Sequence, residues 1–479
     1  MKSIWSETAE IPGREALSGN LSAEVAVIGA GMAGILTAYL LQKQGKQVVV
    51  LEAERIGSGQ TKNTTAKITS QHSLIYDRLI REFGMDKAQQ YASANEAAIA
   101  MYRSIIALEG IDCHFESRPA FLYSTEESAP LMREAEAAAS LGIAATFTTD
   151  TTLPFPISGA VRFEGQAQFH PLDFLCGISK ELTIFENTKV KQVDGNRLIT
   201  DKGIVTADHV VFATHYPFPA LQGLYIARMY QERSYVVALE DTQELDGMYI
   251  GIDEDGLSMR NMGSLLLLGG GKHRTGENSG GGRYATLRHR AKQLWNGSRE
   301  VASWSAQDCI TLDGIPYIGK LCVTTPDWYV ATGFGKWGMT SSMVAAMLLS
   351  DRICGRENPN EKVFCPQRLN LQASGKELIE NTAQSIKGLS RHFFASARAD
   401  VADLPCGHGG VVEYEEGKAG VYKDENGEIF VVSVRCPHLG CELEWNPDEK
   451  SWDCPCHGSR FDYHGRLIDN PAQEDLPHE

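Results

Sequence analysis

Glu24-Val-Ala-Val-Ile28 runs directly into Gly29-Ala30-Gly31-Met32-Ala33-Gly34, then into the apolar stretch Ile35–Gln44 and a second apolar run, Gln47–Leu51, that stops at Glu52. A lone G-x-G-x-x-G is a weak signal. Here it follows a strand, opens a helix and has an acid twenty-three positions after Gly29, which is the full context of a dinucleotide-binding βαβ unit rather than an ordinary glycine turn. Gly29 permits the tight turn, Gly31 lets backbone approach a pyrophosphate, and Gly34 lets the helix pack closely. The helix N-terminus then faces the anion. Glu52 is placed to accept hydrogen bonds from ribose hydroxyls.

A chain of 479 residues has room for two or three domains beyond this unit. Its hydrophobic content of 43% and charged content of 22% suit a globular enzyme. A formal charge of −16 argues against nucleic acid or an anionic membrane as partner. No apolar run is long enough to span a bilayer. Met1–Asn20 has neither an apolar signal core nor a twin arginine, so the expected location is the cytoplasm.

Beyond Glu52 and Ala53 comes a polar, glycine-rich segment, Arg55-Ile-Gly57-Ser58-Gly59-Gln-Thr61-Lys62-Asn-Thr-Thr65-Ala66-Lys67. Far downstream, Asp313-Gly-Ile-Pro-Tyr-Ile-Gly319 precedes Trp328-Tyr-Val-Ala-Thr-Gly333-Phe-Gly335-Lys336-Trp-Gly338-Met339-Thr340 and an apolar helix, Ser341–Ile353. Together with the N-terminal unit these segments resemble the D-amino-acid oxidase family of FAD-dependent flavoproteins, over roughly residues 24–353. The resemblance implies non-covalent FAD, with further contacts from Val190 and from Ala213 and Thr214 at the end of the strand-like run Thr206–Thr214. It also implies backbone N–H groups at the second helix start that face the flavin pyrimidine oxygen. No second strand–GxGxxG–helix unit follows, so electrons are expected from an organic substrate rather than from NAD(P)H.

Near the C-terminus stand two short loops, Cys436-Pro-His438-Leu-Gly-Cys441 and Cys454-Pro-Cys456-His457-Gly-Ser459. Two thiolates and two imidazoles can hold a [2Fe-2S] centre with histidines on one iron, or tetrahedral zinc. The letters of both loops resemble those of Rieske iron–sulfur proteins. By that resemblance Cys436 and Cys454 bind one iron, His438 and His457 bind the other, and Cys441 and Cys456 form a disulfide clamp. Ser459 matches a serine that bonds a bridging sulfide. Phe461 stands where many high-potential members have a tyrosine donor, which implies an intermediate potential. Of eleven cysteines, five lie beyond residue 400, four of them in these loops; the rest are scattered and expected to be reduced.

The expected fold class is α/β plus β: a Rossmann-like FAD-binding domain with an inserted mixed-sheet substrate domain, followed by a small antiparallel β Rieske domain. FAD-binding segments are expected at 1–85, 151–222 and 301–355. Substrate-domain segments fall at 86–150 and 223–300, a linker with a helix over Lys376–Phe394 at 356–397, and the Rieske domain at 398–479. Asp86–Leu108 and Ala129–Leu141 read as helices, Ser234–Leu239 and Ser264–Gly269 as strands, and Asn426-Gly427 as a hairpin turn.

The family implies hydride transfer from an amine or amino-acid-like C–N bond to FAD. The expected route continues through the cluster to an external one-electron acceptor, a protein or a quinone, with the histidine edges as entry or exit ports. The alternative is an electron-transfer adaptor or redox sensor that oxidises no small amine. Catalytic candidates are Lys272 beside the flavin, Lys336 in the flavin turn, and Arg260 and Tyr235 on substrate strands. Arg228 and Arg233 are further clamps for a carboxylate, and His170 and His215 read as turn or core histidines.

Overall fold

The computed structural model describes residues 2–219, 221–368, 401–414 and 417–477. The helix expected over 376–394 lies outside them. Strand Leu21–Ile28 sits at the centre of an eight-stranded sheet, parallel to Val48–Leu51 on one side and to Ile204–Phe212 on the other. Thr183–Phe185 extends the first side. Ile204–Phe212 also pairs with Arg197–Thr200 and, in parallel, with Trp328–Thr332. Val25, Ala26 and Val27 are wholly buried, as a central parallel strand covered on both faces requires. Helices Met32–Lys43 and Gly338–Ile353 pack against each other beside this sheet, both in the main core.

A second eight-stranded sheet runs in the order Arg299–Thr311, Met229–Glu240, Leu265–Arg274, Ser258–Met262, Met248–Gly251, Ala120–Ser124, Gly159–Phe163, Ala145–Thr148. Its pairing is antiparallel except between Met248–Gly251 and Ala120–Ser124. The cuts expected at 150/151 and 300/301 divide this sheet, because Gly159–Phe163 and Arg299–Thr311 both belong to it. Alternation along Met229–Glu240 separates two environments. Val236 and Ala238 enter the main core with Trp304, whereas Tyr235, Val237 and Leu239 pack with Tyr284 and Leu287 of helix Arg283–Leu294.

The C-terminal unit has a three-stranded antiparallel sheet, His408–Tyr414, Gly417–Lys423 and Ile429–Ser433, and a four-stranded one, Glu444–Asn446, Ser451–Asp453, Arg460–Asp462 and Leu467–Asp469. The turn at Asn426-Gly427 forms because Gly427 takes φ +86° and Asp424 Oδ1 accepts from the Asn426 and Glu428 N–H groups. Among the described residues no helix is long and apolar enough to cross a membrane.

Candidate functional site

The two cluster loops fold alike. In each, the first cysteine's carbonyl accepts from the N–H of the closing glycine, Cys436 from Gly440 at 2.8 Å and Cys454 from Gly458 at 3.0 Å. Both glycines have positive φ, +78° and +84°. Cys441 and Cys456 are joined by a disulfide. The buried thiols of Cys436 and Cys454 hydrogen-bond each other, and the Ser459 hydroxyl reaches Cys436 while accepting from the Ala472 N–H at 3.0 Å. The His438 and His457 rings meet edge to face with centroids 5.0 Å apart. The Nδ1 atom of each is buried without a partner. Burial pushes His438 down to about 4 and His457 to about 3, which keeps both imidazoles neutral. Paired thiols, neutral imidazoles and two orphaned ring nitrogens fit a cluster with two sulfur and two nitrogen ligands.

The dinucleotide turn is equally constrained. A Cβ on Gly34 would stand 1.9 Å from the Gly29 carbonyl oxygen, and one on Gly29, at φ +102°, would stand 2.6 Å from that of Ala213. Helix Met32–Lys43 starts at Gly31 without an N-cap side chain, and Thr61 Oγ1 accepts from the Met32 N–H at 3.0 Å. Glu52 accepts from the Ala30 N–H at 2.7 Å and from the Glu54 N–H at 2.9 Å. A glycine cradle at a helix start and a half-buried carboxylate at the strand end fit a dinucleotide. Helix Gly338–Ile353 likewise has no side-chain cap. Thr340 exchanges hydrogen bonds with the Thr69 backbone, and the Trp337 ring stacks on His72. Val190 is buried at the start of its strand.

The catalytic candidates are placed differently from expectation. Arg260 is wholly buried and donates to the Thr65 and Ala66 carbonyls, at 3.0 and 2.7 Å, so it braces the segment after the dinucleotide turn. Tyr235 lies on the opposite face of its strand from the Lys336 side and hydrogen-bonds Asn278, whose amide also reaches Asn446 and Asp448 of the C-terminal unit. Lys272 is exposed. Lys336 is ion-paired with Asp308 at 3.0 Å and Glu232 at 3.3 Å. Arg228 lies 4.2 Å over the Tyr317 ring, and Arg233 is ion-paired with Glu449. His170 caps helix Pro171–Ile178, and His215 bonds Gln231.

Sequence reasoning missed the residues that seat the C-terminal unit. Gln231 Nε2 donates to the carbonyls of His457 (2.8 Å) and Asn470 (3.0 Å), and Gln307 Nε2 donates to that of Gly458 (2.8 Å). Gln60, in the segment after the dinucleotide turn, accepts from the Gln307 N–H and donates to Asp469. Asn470 donates to the Thr214 and Tyr216 carbonyls. Glu449 enters between Arg233 and Arg460 and accepts from Ser305. Glutamines carry no motif; only the alternation of Met229–Glu240, with its face known, points to Gln231, and no local pattern marks Gln60 or Gln307. A buried lysine was also missed: Lys67 donates to Ser258 Oγ and the Tyr249 carbonyl, and burial, aided by nearby Arg260, lowers it to about 7.

Residues 24–352 match the family model described as FAD dependent oxidoreductase, and residues 396–478 match the Rieske [2Fe-2S] domain. A protein of Bacillus subtilis (strain 168) described as a putative Rieske 2Fe-2S iron-sulfur protein is 37% identical, over 99% of this chain and 97% of its own length. The cytochrome b6-f complex iron-sulfur subunit 2 of Trichormus variabilis is 49% identical over 11% of this chain and 30% of its own. Glycine oxidase from Geobacillus kaustophilus superposes with a TM-score of 0.61 at 19% identity, covering 73% of this chain and 99% of that one, a likeness of fold.

Proposed function

Because the chain belongs to the FAD-dependent oxidoreductase family and carries a Rieske [2Fe-2S] domain, we propose that it is a dehydrogenase for an amine or amino-acid-like substrate, delivering electrons to an external one-electron acceptor. FAD when bound supplies a two-electron acceptor for C–N oxidation, and the cluster supplies a one-electron outlet. The observation that carries the reading is the seating of the Pro455–Gly458 loop on Gln231, Gln307 and Arg274, with Gln60 tying the dinucleotide side to Asp469. A cluster loop held so firmly against the oxidoreductase domain serves electron exchange between the two.

In this reading Gly29, Ala30, Gly31, Met32, Ala33, Gly34, Glu52 and Ala53 hold the adenosine and pyrophosphate side of FAD, with Val190, Ala213 and Thr214. Ser58, Gly59, Thr61, Lys62, Thr65 and Ala66 hold the ribityl side, and Gly335, Gly338, Met339 and Thr340 the pyrimidine edge. Cys436, His438, Cys454 and His457 hold the cluster. Lys336 stays cationic between Asp308 and Glu232 and orients the Gly335–Gly338 turn. Arg228, Arg233 and Arg260 are committed to protein partners, so none is assigned to a substrate carboxylate.

The test is anaerobic mixing of the oxidised protein with D- and L-amino acids, N-methylated amino acids and simple amines while flavin absorbance is followed. At least one class is expected to bleach it. If none does, while a chemical reductant still yields a Rieske spectrum, the adaptor or sensor reading replaces this one.

A further inference from the structure

The two histidines of the cluster loops stand in unequal surroundings. His457 is 6% exposed, and its ring hydrogen-bonds the backbone of Ile226, in the short helix that leads into strand Met229–Glu240. Its carbonyl is held by Gln231 and that of the next residue by Gln307. Gly458 is required there twice over: its φ is +84°, and a Cβ would come within 2.7 Å of the Gln231 side chain. His438, by contrast, is only half-buried and stands between exposed Pro437 and Leu439, the latter 42% exposed. In both rings Nδ1 is the buried atom without a partner, so the His457 bond to Ile226 is made by Nε2.

We propose that the two imidazole edges are separate electron ports: His457 is the inward port, facing the oxidoreductase domain, and His438 is the outward port. The inference rests on the reading of Cys436, His438, Cys454 and His457 as cluster ligands. One electron enters on the His457 side from the reduced flavin domain, and one leaves on the His438 side to an external one-electron acceptor. Two such passages balance the two electrons of one substrate oxidation. The arrangement is fixed rather than swinging, because Glu449 is buried between Arg233 and Arg460, and Asn278 is shared between the two units. Undocking would break the Arg233–Glu449 ion pair and the Asn278–Asn446 hydrogen bond together, exchanging them for water.

The test uses the full-length holoprotein and diethyl pyrocarbonate, which acylates an accessible imidazole nitrogen, with the labelled residue found by peptide mass spectrometry. A Rieske EPR spectrum is recorded first; its absence overturns the ligand reading and the port assignment with it. With the spectrum present, His438 is expected to label about tenfold or more faster than His457, since the latter must await local opening. Equal rates, or His457 first, overturn the port assignment and leave the ligand reading standing. In the Gln231→Ala/Gln307→Ala double variant, His457 labelling is expected to rise toward the His438 rate. If it stays protected, the proposed seating is not what covers it and the assignment fails.

Discussion

Phe461 is wholly buried in the same core as Cys436 and Cys454, and its ring offers no hydrogen to a sulfur. Phe461→Tyr is expected to raise the cluster midpoint potential. If the new hydroxyl favours the reduced state by about 1.4 kcal/mol, the rise is about 60 mV for one electron. A redox titration followed by EPR checks it. Lys67 is the opposite case, a buried cation with two neutral acceptors and no carboxylate. Its proton affinity is depressed in the folded chain, so the unfolded chain binds the proton more readily between about 7 and the ordinary lysine value of 10.5. The penalty for burying Lys67 is therefore complete below that window and disappears as the pH rises through it. Lys67→Met is expected to raise thermal stability by about 1–4 kcal/mol at neutral pH, with the gain shrinking in alkaline buffer. Residue identity made the pairing of the two loops legible, because two cysteines and two histidines at that spacing carry their chemistry locally, and the fold brings Cys436 to Cys454 and His438 to His457. It misled for Arg260, where an arginine on a substrate strand suggested a clamp and burial turned it toward two carbonyls.

At the scale of elements, the strand–turn–helix unit around Gly29 was legible because its requirements are met within thirty residues. The role of Met229–Glu240 was not. A strand was evident, yet period-two alternation does not say which face meets which neighbour, and shifting by one residue exchanges the two sets completely. Gln231, Arg233 and Tyr235 face the C-terminal unit, whereas Glu232 faces Lys336. The fit at this junction is close. Gly276 has φ +81°, and a Cβ there would lie 2.6 Å from the Pro455 backbone. Gly276→Val is expected to push the Pro455–Gly458 loop off its seat, enlarging the radius of gyration measured by small-angle X-ray scattering. An unchanged scattering curve would contradict the seating described above.

Over the whole molecule, two units meet through a buried polar network centred on Glu449. Burial alone would raise this carboxyl, but the guanidinium groups of Arg233 and Arg460 outweigh it and hold Glu449 down to about 2. A depressed carboxyl contributes stability that is complete above its ordinary value of 4.5 and is lost as the pH falls toward 2. The docked form is expected to persist at pH 5 and to open in stronger acid. Glu449→Gln, which leaves Arg233 with Asp469 at 3.8 Å as its remaining carboxylate while Arg460 keeps Asp453 and Asp469, is expected to cost about 1–3 kcal/mol in thermal unfolding at neutral pH. This network joins residues more than two hundred positions apart, and no local pattern announces it.

The most direct measurement is rapid-freeze EPR of the full-length protein after anaerobic mixing with a substrate that bleaches the flavin. A reduced Rieske signal of up to one electron per chain is expected to grow in after the flavin bleaches, before any external acceptor is added. A flavin that stays bleached beside a cluster that stays oxidised would contradict it.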